Sequence, residues 1–408
     1  MKKLEKVIKK LNLLPYLVIL TLLSSGHINL NYIFDDFRKL IFVIILLLVL
    51  AYITFTNKIE IPISKDLFLI PFALCLIFAL FYLLRLNLYN FIGWVFSSCM
   101  VLLVWNLSSK QILFLLKKYL IVISTLIFFG LVILILVEYE TNNFNYSGKY
   151  RSYILKIFAN SDSFFYTDEN GKKFHRFSFF LQQSSLVATY IILPFCIYSL
   201  IEKTHFNILI ILTIALIFSV SSTVLVIAVL SLIIYYFYDF FKQNIKIIYS
   251  LSFIVSITVG LFFYITYDMQ SNYDFINYFF LRISSGAYRL EYIGNQTYHF
   301  FTKYFFGYFD NQSDMNNYLL GNLHISSGIK GGFICLILSF VFFIRISIAI
   351  FLIKNANKFV CAILISSIII LTNVQDFGIS SISGFIFFSL LARLLDQTLK
   401  KKNKMTQQ

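Results

Sequence analysis

The chain has 408 residues, of which 59% are hydrophobic and 13% are charged, and its formal net charge is +15 at pH 7. Soluble domains contain about a quarter charged residues, so this composition excludes a chain folded as a water-covered globule. Apolar runs of about 16 to 24 residues recur throughout, which is the length that spans roughly 30 Å of hydrocarbon. The sequence therefore predicts an all-α, polytopic transmembrane helix bundle.

We predict about twelve helices within one integral membrane domain, residues 1–408. They are expected near 11–30, 40–56, 67–84, 90–107, 119–137, 180–200, 207–220, 223–240, 247–266, 329–352, 359–374 and 377–393. The basic N-terminus and its apolar run resemble a signal peptide, but a first spanning helix fits better because spanning segments follow it. Between the two helices predicted in 207–240, "IFSVSSTVLV" fits either a hinge in one long helix or a tight turn between two short ones.

Lysines cluster in alternate connections between the apolar runs, which gives the predicted orientation. The clusters lie at the N-terminus, near Lys58, Lys110, Lys242 and Lys354, and at 400–402. Because short cytoplasmic loops are rich in Lys and Arg, we expect these segments and both termini to be cytoplasmic. The same distribution attributes the positive charge to membrane orientation and predicts no nucleic-acid partner. The five cysteines lie in apolar runs without a CxxC pair, so neither a disulfide framework nor a zinc site is predicted.

Two predicted outer segments, 138–179 and 267–328, are much longer than the other connections. Long loops in compact membrane proteins are usually functional or disordered, and disordered loops contain few aromatic residues. Both segments are rich in Tyr and Phe, as in "YFFLRISSGAYRLEYIGNQTYHFFTKYFFGYF". We therefore expect them to form short amphipathic helices on the outer face of the bundle.

The predicted helices contain almost no charge, so any chemistry is expected on the outer face. Arg345 lies toward the cytoplasmic end of its helix, where snorkelling explains it. Arginine binds phosphate oxygens through two parallel hydrogen bonds, so arginines near the membrane surface are candidates for a lipid-linked phosphate. The candidates are Arg176 in the first loop and Arg282 and Arg289 in the second. Contact with ordinary phospholipid headgroups is the alternative role for each.

A general base could come from His324, Asp314 or Glu291. Histidine titrates near neutral pH, and a carboxylate can act as a base when burial raises its pKa. The alternatives are a histidine hydrogen-bonded to nearby backbone and solvated loop carboxylates.

Glycines cluster in "NNYLLGNLHISSGIKGG", where the chain enters an apolar helix. Gly328, Gly331 and Gly332 could allow close approach to an anion, or could simply allow close helix packing. No Walker loop, zinc signature, HExxH, GxSxG or DxD-type site occurs, so no metal or cofactor is predicted.

With these residues, the chain resembles the bacterial O-antigen polymerase and O-antigen ligase superfamily. The resemblance lies in the large outer loop before the last three helices, in Arg176 of "RFSFFLQQSSLVATYIIL", and in the segment that runs from "SGAYRLEYI" to "NNYLLGNLHISSGIKGG". In that segment the positions similar to the family pattern are Arg289, Gly307, Asn316, Asn317, Tyr318, Leu319, Gly328 and Gly331. Where the family pattern has His before Asn316, this chain has Met315, and it also departs at Phe179 and at Ser221–Ser222.

The resemblance implies a membrane glycosyltransferase without a metal that polymerises polysaccharide repeat units at the outer face of the bacterial cytoplasmic membrane. Its substrates would be oligosaccharides on undecaprenyl diphosphate, bound by Arg176, Arg289 and Arg282. A chain-length regulator and a flippase are the implied partners, besides membrane lipids. A ligase that transfers polymer to lipid A-core is the first alternative, disfavoured by Met315. A lipid-linked oligosaccharide flippase is the second, disfavoured by the long outer loops.

Overall fold

The computed structural model describes residues 13–23, 65–85, 87–140, 165–167, 173–175, 188–202, 222–269, 284–307, 322–353, 356–373 and 382–405. The helices are α1 (Leu13–Leu23), α2 (Lys65–Leu84), α3 (Leu88–Trp105), α4 (Ser109–Glu140), α5 (Leu193–Ser199), α6 (Ser222–Tyr236), α7 (Tyr238–Met269), α8 (Ser284–Thr302), α9 (Leu323–Gly331), α10 (Phe333–Phe351), α11 (Lys358–Asn373) and α12 (Ile382–Met405). A π-helical turn, Ala188–Ile192, leads into α5. The all-α class is confirmed. The helices predicted at 40–56 and 207–220 lie outside the described residues, so twelve spanning helices remain a prediction.

Four of the described helices are long and apolar enough to cross a membrane. Their candidate spans are Asp66–Leu84, Ser109–Gly130, Tyr238–Phe262 and Phe333–Phe351. Large apolar side chains on these spans face outward, for example Leu80 at 54% exposure and Ile254 at 55%. Such faces are unfavourable in water and favourable in hydrocarbon, so the chain is a membrane protein. The side of the membrane on which each terminus lies remains a prediction.

The chain divides into two compact units that alternate along the sequence. The first comprises residues 1–56 and 110–226, and the second comprises 57–109 and 227–408. Neither unit is therefore a contiguous stretch of sequence. The second unit contains α2, α3, most of α6 and α7 to α12.

Within the second unit, α2 and α10 run antiparallel, as contacts at both ends show. Near one end, Asp66 of α2 forms an ion pair with Arg345 of α10 at 3.4 Å. At the other end, the guanidinium of Arg85 donates to the carbonyl of Lys330 at 3.2 Å, three residues before α10 begins. Arg345 therefore has a carboxylate partner in addition to the interfacial location predicted for it.

The chain reverses direction at Phe237, between α6 and α7. Ser231 Oγ of α6 lies 2.7 Å from Ser366 Oγ of α11. The hydroxyl of Tyr249 on α7 lies 2.7 Å from Thr372 Oγ1, nearer the end of α11. Helix α6 is thus antiparallel to α11, and α7 is parallel to it. We had predicted this connection at 241–246, around Lys242, but those residues are helical in α7. Lysines can lie within a helix at a membrane interface because their long stems let the ammonium reach water. The predicted helix boundary is wrong because it treats Lys242 and Lys246 as loop residues.

Helices α7 and α8 form a closely packed antiparallel hairpin. A Cβ added at Gly260 of α7 would lie 2.8 Å from Ile293 Cγ2 and 2.9 Å from the backbone nitrogen of Gly294. Toward the start of α7 and the end of α8, Phe253 packs on the hydrophobic cluster that includes Phe300, so the two helices run in opposite directions. Helices α8 and α9 lie largely in the second predicted long loop, but α9 is completely buried, so it is not an amphipathic helix on the outer face as predicted.

Helix α9 turns back on α10 at Gly332, so the helix predicted at 329–352 is two elements. Gly332 has φ +80°, in the left-handed region that favours glycine. His324 of α9 contacts Ser339 of α10, and a Cβ at Gly331 would collide with Cys335, so the two helices are antiparallel. All nine residues of α9 are buried. The end of the predicted outer loop is therefore a short helix packed inside the bundle.

Arg393, which is paired with Asp396 of its own helix, links α12 to the end of α3. Arg393 and Asp396 are 3.5 Å apart with side-chain exposures of 1% and 0%. Arg393 Nε donates to the carbonyl of Leu107 at 3.2 Å, and Gln397 Nε2 donates to the same oxygen at 2.8 Å. The guanidinium also lies 5.3 Å from the ring of Trp105. A cation at the carboxyl end of α3 satisfies carbonyls that have no partner within the helix.

The first unit contains α1, most of α4, the π-helical turn and α5. Tyr119 of α4 donates its hydroxyl to the carbonyl of Tyr190 at 3.3 Å, which holds α4 against that turn. In the first long loop, where we expected amphipathic helices, the described residues form a two-stranded antiparallel hairpin. Its strands are β1 (Phe165–Thr167) and β2 (Lys173–His175), with Phe165 opposite His175. The sequence between them contains Asn170–Gly171, a strong hairpin signal that the prediction overlooked.

The contact at Gly260 predicts a steric effect that can be tested with a matched glycine. Gly260→Ala should lower the free energy of unfolding by about 1–3 kcal/mol, because the new methyl group overlaps α8. Gly93→Ala in α3 is the control, since a Cβ there meets nothing within 4 Å. Thermal unfolding in detergent measures both. Equal melting temperatures for the two variants would show that α7 and α8 do not meet at Gly260.

The buried pair of Arg393 and Asp396 predicts that replacing Asp396 alone destabilises the protein more than replacing both residues. Asp396→Leu alone leaves an uncompensated buried guanidinium and should cost about 3–5 kcal/mol, whereas the double variant Arg393→Met/Asp396→Leu should be more stable than that single variant. Detergent-resistant folding, followed by fluorescence-detected size-exclusion chromatography after heating, compares the three proteins. A double variant less stable than Asp396→Leu would contradict the pairing.

Candidate functional site

Six of the predicted site residues lie outside the described residues, namely Arg176, Arg282, Asp314, Asn316, Asn317 and Tyr318. Two more, Arg289 and Glu291, lie in α8, where the structure describes the backbone but not these side chains. Their proposed roles therefore remain predictions. The structure describes His324, Gly307, Gly328 and Gly331 fully, and all four are buried in the second unit.

His324 is completely buried and hydrogen-bonded at both ring nitrogens. Its Nε2 lies 2.9 Å from the hydroxyl of Tyr249 on α7, and its Nδ1 lies 3.0 Å from Ser339 Oγ on α10. Phe253 and Phe340 enclose the ring, with centroids 5.3 Å and 5.4 Å away. The imidazole thus joins three helices. Its partners are side-chain hydroxyl groups, not the nearby backbone that was the alternative from the sequence.

The hydroxyl partners allow one consistent set of donors around a neutral imidazole. Ser339 Oγ donates to the carbonyl of Leu336 at 2.9 Å, so it can accept from Nδ1–H. Nε2 then accepts from the hydroxyl of Tyr249, and Thr372 Oγ1, which lies 2.7 Å from both that hydroxyl and the carbonyl of Ile368, donates to the hydroxyl in this set. A neutral histidine has one donor and one acceptor nitrogen, and here both are satisfied by side chains.

Asn322 caps α9 and connects it to three other helices. Its Oδ1 accepts from the backbone N–H groups of His324 (2.9 Å) and Ile325 (3.2 Å). Its Nδ2 donates to Ser256 Oγ on α7 and to the carbonyl of Asn373 on α11, and its own N–H donates to Gln296 Oε1 on α8 at 3.0 Å. These bonds satisfy the polar groups at the amino end of α9 and hold the helix in place.

Gly328 of α9 and Gly307, which follows α8, pack against large side chains. A Cβ at Gly328 would lie 2.7 Å from the ring of Phe300, and one at Gly307 would lie 2.6 Å from Phe81. Gly307 also has φ +102°. Of the two roles that the sequence left open, these surroundings are those of close packing between helices.

Two cationic residues that the sequence analysis did not single out lie at the junction of α9 and α10. Arg85 and Lys330 are 5% and 4% exposed, and the Arg85 guanidinium lies 5.4 Å from the ring of Tyr82. In the sequence, Arg85 directly follows the apolar run 67–84, at the end of that run opposite the lysine-rich connections. This position could have identified it as a candidate site residue. Among the described residues, no group of three or more His, Cys, Asp or Glu side chains could hold a metal ion.

The described arrangement is a buried polar network of Asn322, His324, Tyr249, Thr372 and Ser339. It can fix the position of α9, and it holds the His324 imidazole between hydroxyl partners. No family model, no characterised protein and no solved structure matches this chain.

The network predicts that Asn322 is worth more to stability than an ordinary surface amide. Asn322→Leu should lower the free energy of unfolding by at least about 2 kcal/mol, because it removes a helix cap and leaves buried partners unsatisfied. Asn244→Ala is the control, since Asn244 is exposed and donates only to a carbonyl of its own helix. Hydrogen exchange of α9 amides and thermal unfolding measure the difference. Unchanged protection of α9 in Asn322→Leu would contradict the role of the cap.

Proposed function

We propose that this protein is a polysaccharide polymerase of the bacterial cytoplasmic membrane. It would join oligosaccharide repeat units carried on undecaprenyl diphosphate at the outer face, as the resemblance to the O-antigen polymerase and ligase superfamily implies. In this reaction a hydroxyl of the incoming unit attacks the anomeric carbon of the growing chain. The bond to the lipid diphosphate breaks, the diphosphate leaves with the electron pair, and the hydroxyl proton passes to a base.

The main support is the height of Arg289 along α8. Gly260 of α7 meets Ile293 and Gly294 of α8, and the apolar sequence of α7 continues beyond this contact to Tyr267. Because the two helices are antiparallel, the next turn of α8 beyond the contact carries Arg289, within about one helical turn of the edge of that apolar sequence. Headgroup phosphates lie at this edge of a bilayer. A guanidinium there can bind two oxygens of a lipid diphosphate.

The length of α7 supports the same arrangement. Its 32 residues extend about 48 Å at 1.5 Å per residue, compared with about 30 Å of hydrocarbon. Part of this excess length is the lysine-bearing start of α7, which we predict at the cytoplasmic face, and only the remainder can extend beyond the apolar layer at the outer face, where diphosphate-linked sugars lie.

Charge stabilisation is the main requirement of the proposed reaction. Negative charge develops on the leaving diphosphate, and fixed cationic donors stabilise it most strongly. We assign this role to Arg289 and Arg176, with Arg282 in support.

His324 and Asp314 are the candidate bases. His324 contacts Tyr249, whereas Arg289 lies near the level of Tyr264 of α7, roughly 22 Å farther along that helix. Both ring nitrogens of His324 are bonded in this structure, so Asp314 is the base that this geometry leaves open.

Deletion of the gene followed by display of the surface glycan tests the proposed function. Single repeat units at the surface are expected, because export continues while polymerisation stops. Polymer that accumulates on its lipid carrier would instead identify a ligase. Repeat units retained inside the cell would identify a flippase.

Arg289→Ala should abolish long-chain polymer, with the rate of transfer reduced by about 10²–10³-fold, because transition-state charge loses its donor. Arg289→Lys should restore only part of the activity, since an ammonium cannot make the bidentate contact. Lys303→Ala is the control, because Lys303 is an exposed cation that directly follows α8. Glycan ladders on gels, with membrane insertion checked by immunoblot, provide the measurement. Normal polymer length from inserted Arg289→Ala would remove this residue from the mechanism.

A further inference from the structure

We infer that the base of α7 and α11 binds the headgroup of an anionic phospholipid. The site is a basic stripe, Lys242, Lys246 and Lys358, beside an aromatic turn, Tyr236, Phe237 and Phe240. It lies at the end of the second unit opposite to the junction of α9 and α10. It does not depend on the proposed function.

The basic stripe follows from helix geometry and from one observed contact. Tyr238, Lys242 and Lys246 recur every fourth residue, so they lie on one face of α7. Lys358 at the start of α11 lies with its Nζ 5.3 Å from the ring centroid of Tyr238. The contact brings the two helix starts together, so lysines from both can approach the same phosphate. All three lysines are exposed.

The aromatic turn is exposed where α6 passes into α7. Tyr236 is 77% exposed, Phe237 61% and Phe240 58%. Aromatic residues are enriched at membrane–water interfaces, where their rings lie at the level of the headgroups. In water, three adjacent exposed rings would be unfavourable, so their position indicates contact with lipid.

The charges around the site favour an anion. The exposed acidic residue in this region of α7 is Asp239, against three exposed lysines. Lysine side chains within the apolar span extend their ammonium groups toward the interface. Lys242 and Lys246 would therefore extend toward the level of Tyr238 and Lys358. The result is a convergent set of ammonium groups next to rings that pack against acyl chains, which complements a phosphatidylglycerol-type headgroup.

The full-length protein in detergent, titrated with dioleoyl phosphatidylglycerol or dioleoyl phosphatidylcholine, tests this site. Native mass spectrometry counts bound lipid, and thermal unfolding reports its effect on stability. Wild-type protein should bind phosphatidylglycerol preferentially. The triple variant Lys242→Gln/Lys246→Gln/Lys358→Gln should lose about a hundredfold in that affinity at low ionic strength, at about fivefold per lysine. Salt at about 0.5 M should reduce the difference, because it screens exposed charges.

A matched variant removes three exposed lysines elsewhere, Lys110→Gln/Lys118→Gln/Lys303→Gln, and should keep its affinity to within about threefold. Phe237→Ser/Phe240→Ser should weaken binding of both lipids, because it removes the contact with acyl chains. Equal losses in the two lysine variants, or no loss in the first, would overturn the inference. Displacement of the lipid by millimolar inorganic phosphate would overturn it too, since it would identify a site for a free anion.

Discussion

Polar groups inside an apolar bundle must find partners within the protein, and this constraint shapes the second unit. Helix α9 is the clearest case, because it is short and all nine of its residues are buried. Asn322 satisfies its amino end, and the tight turn at Gly332 together with the Arg85–Lys330 contact satisfies its carboxyl end. Irregular backbone at membrane depth is tolerated only where protein or an aqueous cavity surrounds it. The polar network around His324 provides that surrounding structure from α7, α10 and α11.

Two buried arginines, Arg85 and Arg393, likewise satisfy polar groups inside the second unit. Arg85 donates to a carbonyl in the last turn of α9, and Arg393 donates to the carbonyl that follows α3. A cation near a helix carboxyl end complements the helix dipole, so a costly buried charge also satisfies carbonyls without partners. The rings of Tyr82 and Trp105 lie beside these guanidinium groups and add a favourable cation–π contact. Both arginines thereby connect segments that are distant in sequence.

These interactions give the proposed reaction a physical setting. Helices α7 and α8 pack closely where Gly260 meets Ile293 and the backbone of Gly294, so the height of α8 relative to α7 is well defined. The network under α9 would keep the base of the site rigid while sugars change position above it. A polymerase needs such rigidity, because two large substrates must meet with their reacting atoms aligned.

The sequence alone determined the class of protein and most of the long helices, because apolar length and charge distribution are local properties. The bounds predicted for α2, α3 and α11 differ from those observed by about two residues or fewer. The prediction failed where tertiary contacts decide. Lys242 was predicted in a loop although it is helical, and the helix predicted at 329–352 is two helices joined at Gly332. Nor could spacing show that His324 would meet Tyr249 and Ser339, which are distant in the chain and polar within apolar helices. Hydrophobic periodicity records which segments enter hydrocarbon, whereas the pairing of buried polar groups depends on which helices become neighbours, and only the folded structure decides that.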